Sequence, residues 1–184
     1  MMNEVLNVIK QRRSVRAYQA EQVKEHELQA ILEAGLWAPS AHNSQPWHLT
    51  VIQDAELIAH ISAVSTKYMA KSPVAWVAAM GQSGRSIFYN APTVIVVAGK
   101  KLDLLEPLID CSAATQNMLL AAEALDLGAC WIGLIRFFFN DEKEVEKLQL
   151  PAGYKPLYAI CLGYKEQANG QGPARASNTV SYIR

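Results

Sequence analysis

Arg12, Arg13, Ser14 and Arg16 bring three guanidinium groups and a hydroxyl together in a 184-residue chain whose formal net charge is zero. Guanidinium is a planar fork of donors that stays charged and matches phosphate or carboxylate oxygens in pairs. The natural chemistry of such a cluster is to hold an anion. Glu4 to Gln11, just upstream, carries Val5, Leu6, Val8 and Ile9 on what would be one helical face. The arginines therefore fall at or just past a helix C-terminus, where cations also suit the helix dipole. Two readings follow from these residues: a solvated basic helix end, or an anion clamp.

A second polar cluster is Ala38-Pro39-Ser40-Ala41-His42-Asn43-Ser44-Gln45-Pro46-Trp47. Its short hydrogen-bonding side chains lie between two prolines, a composition that can present amides and hydroxyls to the edges of a heteroaromatic ligand. The same residues also suit an ordinary helix-to-strand connection, and His42 and His48 alone read as structural. A third candidate is Cys130-Trp131-Ile132-Gly133-Leu134. Glycine at a strand end permits close approach of backbone to ligand, although it can equally mark a bulge. Phe137-Phe138-Phe139, immediately after, either lines a substrate pocket or plugs the core.

Several chemistries lack their residues. There is no Gly-x-Gly-x-x-Gly or phosphate-binding loop of the nucleotide hydrolases, and no Gly-x-Ser-x-Gly nucleophile turn. No Cys or His pair has metal-ligand spacing, so no metal site is expected. The balance of 17 basic and 17 acidic residues argues against a nucleic-acid or anionic-membrane surface. The longest apolar runs, Val74 to Met80 and Ala91 to Ala98, fall short of the ~20 residues of a membrane span. The first residues do not read as a signal peptide. Cys111, Cys130 and Cys161 lie in apolar segments and read as buried, reduced thiols, which points to a cytoplasmic protein.

The elements that must position these clusters follow from periodicity. Helices are predicted over Glu4–Gln11, Glu25–Leu36, 54–64 with Asp54 as N-cap, and 141–148; a looser one lies near 74–80. Asp110 to Leu127 reads as the longest helix, alanine-rich, with Gly128 as its stop. Strands are predicted at Trp47–Ile52, 93–98, 129–135 and Tyr154–Tyr164, with a further edge strand at 179–183. With 51% hydrophobic residues the chain suits one domain spanning 1–184, of the α+β class.

Taken in order, Arg-Arg-Ser-Val-Arg, the Pro-Ser-Ala-His-Asn-Ser-Gln-Pro-Trp loop, Asn90-Ala91-Pro92 before a strand, and Leu-Gly-Ala-Cys-Trp-Ile-Gly resemble the nitroreductase family of FMN-dependent oxidoreductases. The Leu162-Gly163-Tyr164 strand end adds to the likeness, which runs from about residue 3 to residue 176. The resemblance implies an α+β fold with a mixed, mainly antiparallel sheet flanked by helices, in an intertwined homodimer whose 165–184 extension wraps the partner. It implies FMN as cofactor, NADH or NADPH as co-substrate, and a small-molecule electron acceptor such as a nitroaromatic or quinone. It assigns Arg12, Arg13, Ser14, Arg16 and Arg175 to the FMN phosphate and ribityl chain. Pro39, Ser40, Ala41 and Asn43 reach the flavin ring from the other subunit, and Ile132, Gly133 and Leu134 approach it through backbone amides. No catalytic side chain is implied, because a flavin carries its own chemistry. A flavin carrier or regulator of the same fold is the alternative, as is a member with different flavin chemistry: dehydrogenation, dehalogenation or enone reduction. Two features depart from the family: residues 65–90 are compact where a lid is usual, and Gly84 falls where many members have a flavin-contacting asparagine.

Overall fold

The computed structural model describes residues 3–102 and 106–184. At its centre is β2 (Thr93–Lys100), whose β-branched run is buried at every position except Lys100. Burial on both faces requires a layer on each side. The sheet order is β1 (Trp47–Ile52), β2, β4 (Tyr154–Tyr164), β3 (Leu127–Ile132), with every neighbouring pair antiparallel. A parallel bridge from Ser14 to Ala129 extends the β3 edge, so the sheet is mixed and mainly antiparallel.

On one face Ile95, Val97, Ile160 and Leu162 pack under α2 (Glu25–Leu36) and α5 (Pro107–Ala124). Gly35 lets these two helices approach closely, since a Cβ there would sit 2.8 Å from Met118 Cγ. On the other face Val94, Val96, Ala159 and Cys161 pack under α3 (Ala55–Met69), α4 (Ala75–Gln82) and the 3-10 segment Gly133–Asn140. The Asp54 carboxylate caps α3, accepting from the Glu56 and Leu57 amides at 2.9 and 3.2 Å. α1 (Glu4–Gln11) buries none of its residues and keeps Val5, Leu6 and Ile9 exposed. Among the described residues no helix is long and apolar enough to cross a membrane.

Four sequence expectations need correction. α5 begins at Pro107, a residue suited to the first helical position, and ends at Ala124 rather than Leu127. Asp126, at φ 58°, makes the left-handed turn that Gly128 was expected to supply. Gly128 lies inside β3, and the reason is steric: a Cβ there would stand 2.7 Å from Val15 Cγ1. The strand expected at 129–135 is displaced to Leu127–Ile132, because the chain turns into 3-10 geometry at Gly133. No strand forms at 179–183, where Val180, Tyr182 and Ile183 are exposed, and the β3 edge is taken by Ser14. The helix expected over 54–64 runs on to Met69, with buried Ser65 donating to the Ile61 carbonyl at 2.8 Å.

Gly128 is thus the seat of Val15, which holds the arginine segment to the sheet. Gly128→Ala should cost about 1–3 kcal/mol by overpacking. Gly170→Ala, where a Cβ would meet nothing within 4 Å, should leave the thermal midpoint unchanged. Thermal unfolding of the two variants checks the contrast.

Candidate cofactor site

Asn3 caps α1, its side chain accepting from the Val5 amide at 2.9 Å. At the other end the Arg12 amide donates to the Val8 carbonyl at 2.9 Å and closes the helix. Arg13 then folds back, and its Nη1 donates to the carbonyls of Lys10, Gln11 and Arg12 at 2.8, 3.0 and 2.8 Å. That is a C-terminal cap made by a cation, satisfying carbonyls the helix leaves open. Arg13 Nε, by contrast, is buried with no partner.

The next residues join the sheet. The Val15 amide donates to the Ala129 carbonyl at 3.1 Å, and the Tyr18 hydroxyl donates to the Val15 carbonyl at 2.6 Å. Burial pushes the Tyr18 phenol far above its ordinary pKa, so this donor stays neutral. Arg16 Nη1 reaches the Ser14 carbonyl at 3.3 Å, and its guanidinium lies 5.7 Å from the Tyr89 ring centroid. Among the described residues, Arg12, Arg13 and Arg16 make no ion pair with a carboxylate. Three cations close together and unneutralised are a cradle for an anion, and the unsatisfied Arg13 Nε is a further donor for it.

The C-terminal segment comes to the same place. Buried Lys165 pairs with Glu123 at 3.3 Å and Asp126 at 2.9 Å, and Asn169 Nδ2 donates to both Glu123 oxygens at 3.0 and 2.9 Å. Beyond that anchor the Gly172 backbone lies against the Arg13 guanidinium, leaving no room for a side chain. Arg175 is exposed, and three residues of chain keep its Cα within about 10 Å of Gly172. The tail thus meets the arginine segment at Gly172, and Arg175 lies within that reach of the contact.

Ile132 is buried, Leu134 half-buried and Gly133 exposed. A Cβ added at Gly133 would meet open space, so the backbone there is accessible to a ligand. Beside it the Trp131 ring packs on Tyr158 with centroids 4.4 Å apart. Phe138 is fully buried and does plug the core. From Ala129, beside Ser14, to Gly133 is four strand residues, about 13 Å. An elongated ligand with an anionic tail and a flat head suits that span.

The polar loop is elsewhere. His42, Asn43 and Gln45 all take left-handed φ values of 52°, 55° and 46°, a costly conformation that must be held from outside. Ser40 Oγ accepts from the Gln45 amide at 3.0 Å, Gln45 Nε2 donates to Asn43 Oδ1 at 3.1 Å, and the Ala41 amide donates to buried Asp110 Oδ2 at 3.3 Å. Pro39 is exposed and Ser40 and Ala41 are half-buried. This loop enters β1 at Trp47, which pairs with Gly99; Ala129 pairs with Leu162, which pairs with Thr93. Loop and arginines are therefore separated by the full width of the sheet and six residues along it, on the order of 25 Å. One chain does not bring Pro39, Ser40, Ala41 and Asn43 to the arginines.

Sequence reading missed Asp110, Tyr18 and Gly172. Asp110 shares its helix with another acid, Glu123, so its residue type did not mark it, and nothing local announced the other two. A cleft of about 650 Å³ lies between α3 and residues 84–92. Gly84, Arg85 and Ser86 line it, but the arginine segment does not. No cluster of three or more metal-ligating side chains occurs among the described residues.

Comparison with known proteins places these features in a family. The model of the nitroreductase family matches residues 9–164. A nitroreductase crystal structure from Bacteroides fragilis, with bound FMN, is similar over the whole of both chains, at 32% identity and a TM-score of 0.89. One from Desulfitobacterium hafniense, also with FMN, covers both chains at 29% identity and a TM-score of 0.89. An NAD(P)H FMN reductase of Bacillus subtilis is 26% identical over 185 residues, 98% of this chain and 74% of its own length.

Proposed function

The chain belongs to the nitroreductase family, and on that premise we propose that it is an FMN-dependent NAD(P)H oxidoreductase working as a homodimer. The observation that carries the reading is the arginine segment: three cations without a carboxylate partner among the described residues, set on a strand whose end is open at Gly133. Arg12, Ser14 and Arg16 hold the FMN phosphate and ribityl chain. Arg13 adds its charge and Nε while bracing α1, and Arg175 closes over the phosphate from the tail. When bound, FMN supplies the redox chemistry, taking a hydride equivalent from NADH or NADPH and passing electrons to a nitroaromatic, quinone or similar electrophilic acceptor.

The protein's own part is binding, orientation and electrostatics. Backbone amides at Ile132, Gly133 and Leu134 would lie toward the ring edge of a bound flavin and would favour negative charge there, as oxyanion-hole donors do. No side chain of the chain makes or breaks a bond. The partner supplies Pro39, Ser40, Ala41 and Asn43 to the other side of the ring, since a chain's own loop lies across its sheet. Exposed Val5, Leu6 and Ile9 of α1, with Trp37 and Ile109, give the dimer its apolar face.

Because reductant and acceptor use one site in turn, steady-state rates should follow a ping-pong pattern. Double-reciprocal plots for a nicotinamide and a quinone should be parallel, with turnover dependent on FMN. Protein that holds FMN yet turns over with neither nicotinamide on any acceptor would contradict the enzyme and favour a flavin carrier.

A further inference from the structure

Beneath the arginine segment lie two thiols that the proposed chemistry does not use. Cys130 in β3 and Cys161 in β4 are directly opposite each other in antiparallel register. Opposed residues of such a pair have Cα atoms about 4.5–5.5 Å apart, inside the 4.4–6.8 Å range of disulfides. Both belong to the same buried cluster, so both side chains lie on one face of the sheet. Cys161 Sγ is 3.2 Å from the Tyr18 hydroxyl, which also holds the Val15 carbonyl. The dithiol is thus tied to the segment that carries the arginines.

We propose that Cys130 and Cys161 form a redox-active dithiol that hydrogen peroxide closes to a cross-strand disulfide. Cys130 is the attacking sulfur. The neighbouring Cys161 thiol, followed by Arg16, Ser14 and Arg12, lowers its pKa against the opposing effect of burial. Burial holds Cys161 protonated. The Cys130 thiolate attacks one peroxide oxygen; a sulfur–oxygen bond forms, the O–O bond breaks, and hydroxide leaves to be protonated. Cys161 sulfur then attacks the Cys130 sulfenic acid. The S–S bond forms, the S–O bond breaks, and the Cys161 proton leaves with that oxygen as water. In sum two thiols lose two hydrogens and one peroxide becomes two waters.

Access comes through the cover itself. Cys130 is 3% exposed, under an edge strip held by the Val15–Ala129, Gln19–Tyr164 and Glu166–Ala17 backbone bonds and by bridges at Ser14 and Tyr18. Local opening of that edge admits a water-sized oxidant. Cys111 is the internal control: it lies in α5, with its Sγ 3.7 Å from the Ala98 carbonyl, and burial raises its pKa to about 12. This inference does not depend on what anion the arginines hold.

The test is to expose the purified full-length protein to hydrogen peroxide, alkylate it under denaturing conditions, and map its peptides without reduction. The expected product is an intrachain peptide pair joined at Cys130 and Cys161, lighter by two hydrogens, with Cys111 still alkylated. Cys161→Ser should instead accumulate a Cys130 sulfenic acid trapped by dimedone. Three free thiols after treatment, loss of Cys111 first, or crosslinks between chains would each overturn the proposal. If Cys161→Ser does not fold, the wild-type peptide map decides alone.

Discussion

Replacing Arg12 and Arg16 together with alanine should abolish measurable FMN retention during purification. Each lost charge-assisted bond costs about 1.5–3 kcal/mol, which is roughly 10–150-fold in Kd per residue. The two act on one group, so their effects need not add; if they do, the smaller pair of losses multiplies to about a hundredfold. Arg13→Ala should behave differently. Its Nη1 serves three carbonyls at the end of α1, so the variant should lose thermal stability as well as a smaller share of affinity. Flavin fluorescence titrations beside melting curves separate the two effects. Unchanged affinity in both variants would remove the arginine segment from the site.

Mixed dimers carry the second large effect. A chain with Arg12→Ala and Arg16→Ala and a chain with Ser40→Ala and Asn43→Ala should each be defective as homodimers. If every site takes its arginines from one chain and its loop from the other, a mixed dimer gathers all four lesions in one site. The second site is then intact. Co-expressing the two chains with different affinity tags and purifying the heterodimer should restore about half of wild-type FMN binding and turnover per dimer. The separation of about 25 Å between loop and arginines within a chain is the reason for the expectation. A heterodimer as defective as its parents would show that each site is built within one chain.

The arginine segment was legible because its information is local: arginines and a serine in five adjacent positions retain their chemistry in any fold. The fold's main elements were legible for a similar reason, since Thr93–Lys100 and Glu25–Leu36 carry their periodicity on their face. What was not legible depends on contacts between distant residues. Gly128 looks like a helix stop until Val15 is seen occupying the space of its missing side chain. The strained loop gives no hint in sequence that Asp110 holds it. The pairing of Cys130 with Cys161 exists only through the β3–β4 register. Position in the sheet also shows that the loop and the arginines, each readable alone, cannot meet within one chain.

The central claim is that the arginine segment and the Gly133 strand end together form a flavin site. A titration of flavin-free protein with FMN, followed by absorbance and by calorimetry, tests it most directly. The account predicts saturation at one FMN per chain, a shifted oxidised-flavin spectrum, and no saturation in the Arg12→Ala, Arg16→Ala variant. Protein that is isolated without flavin and binds no added FMN would contradict it.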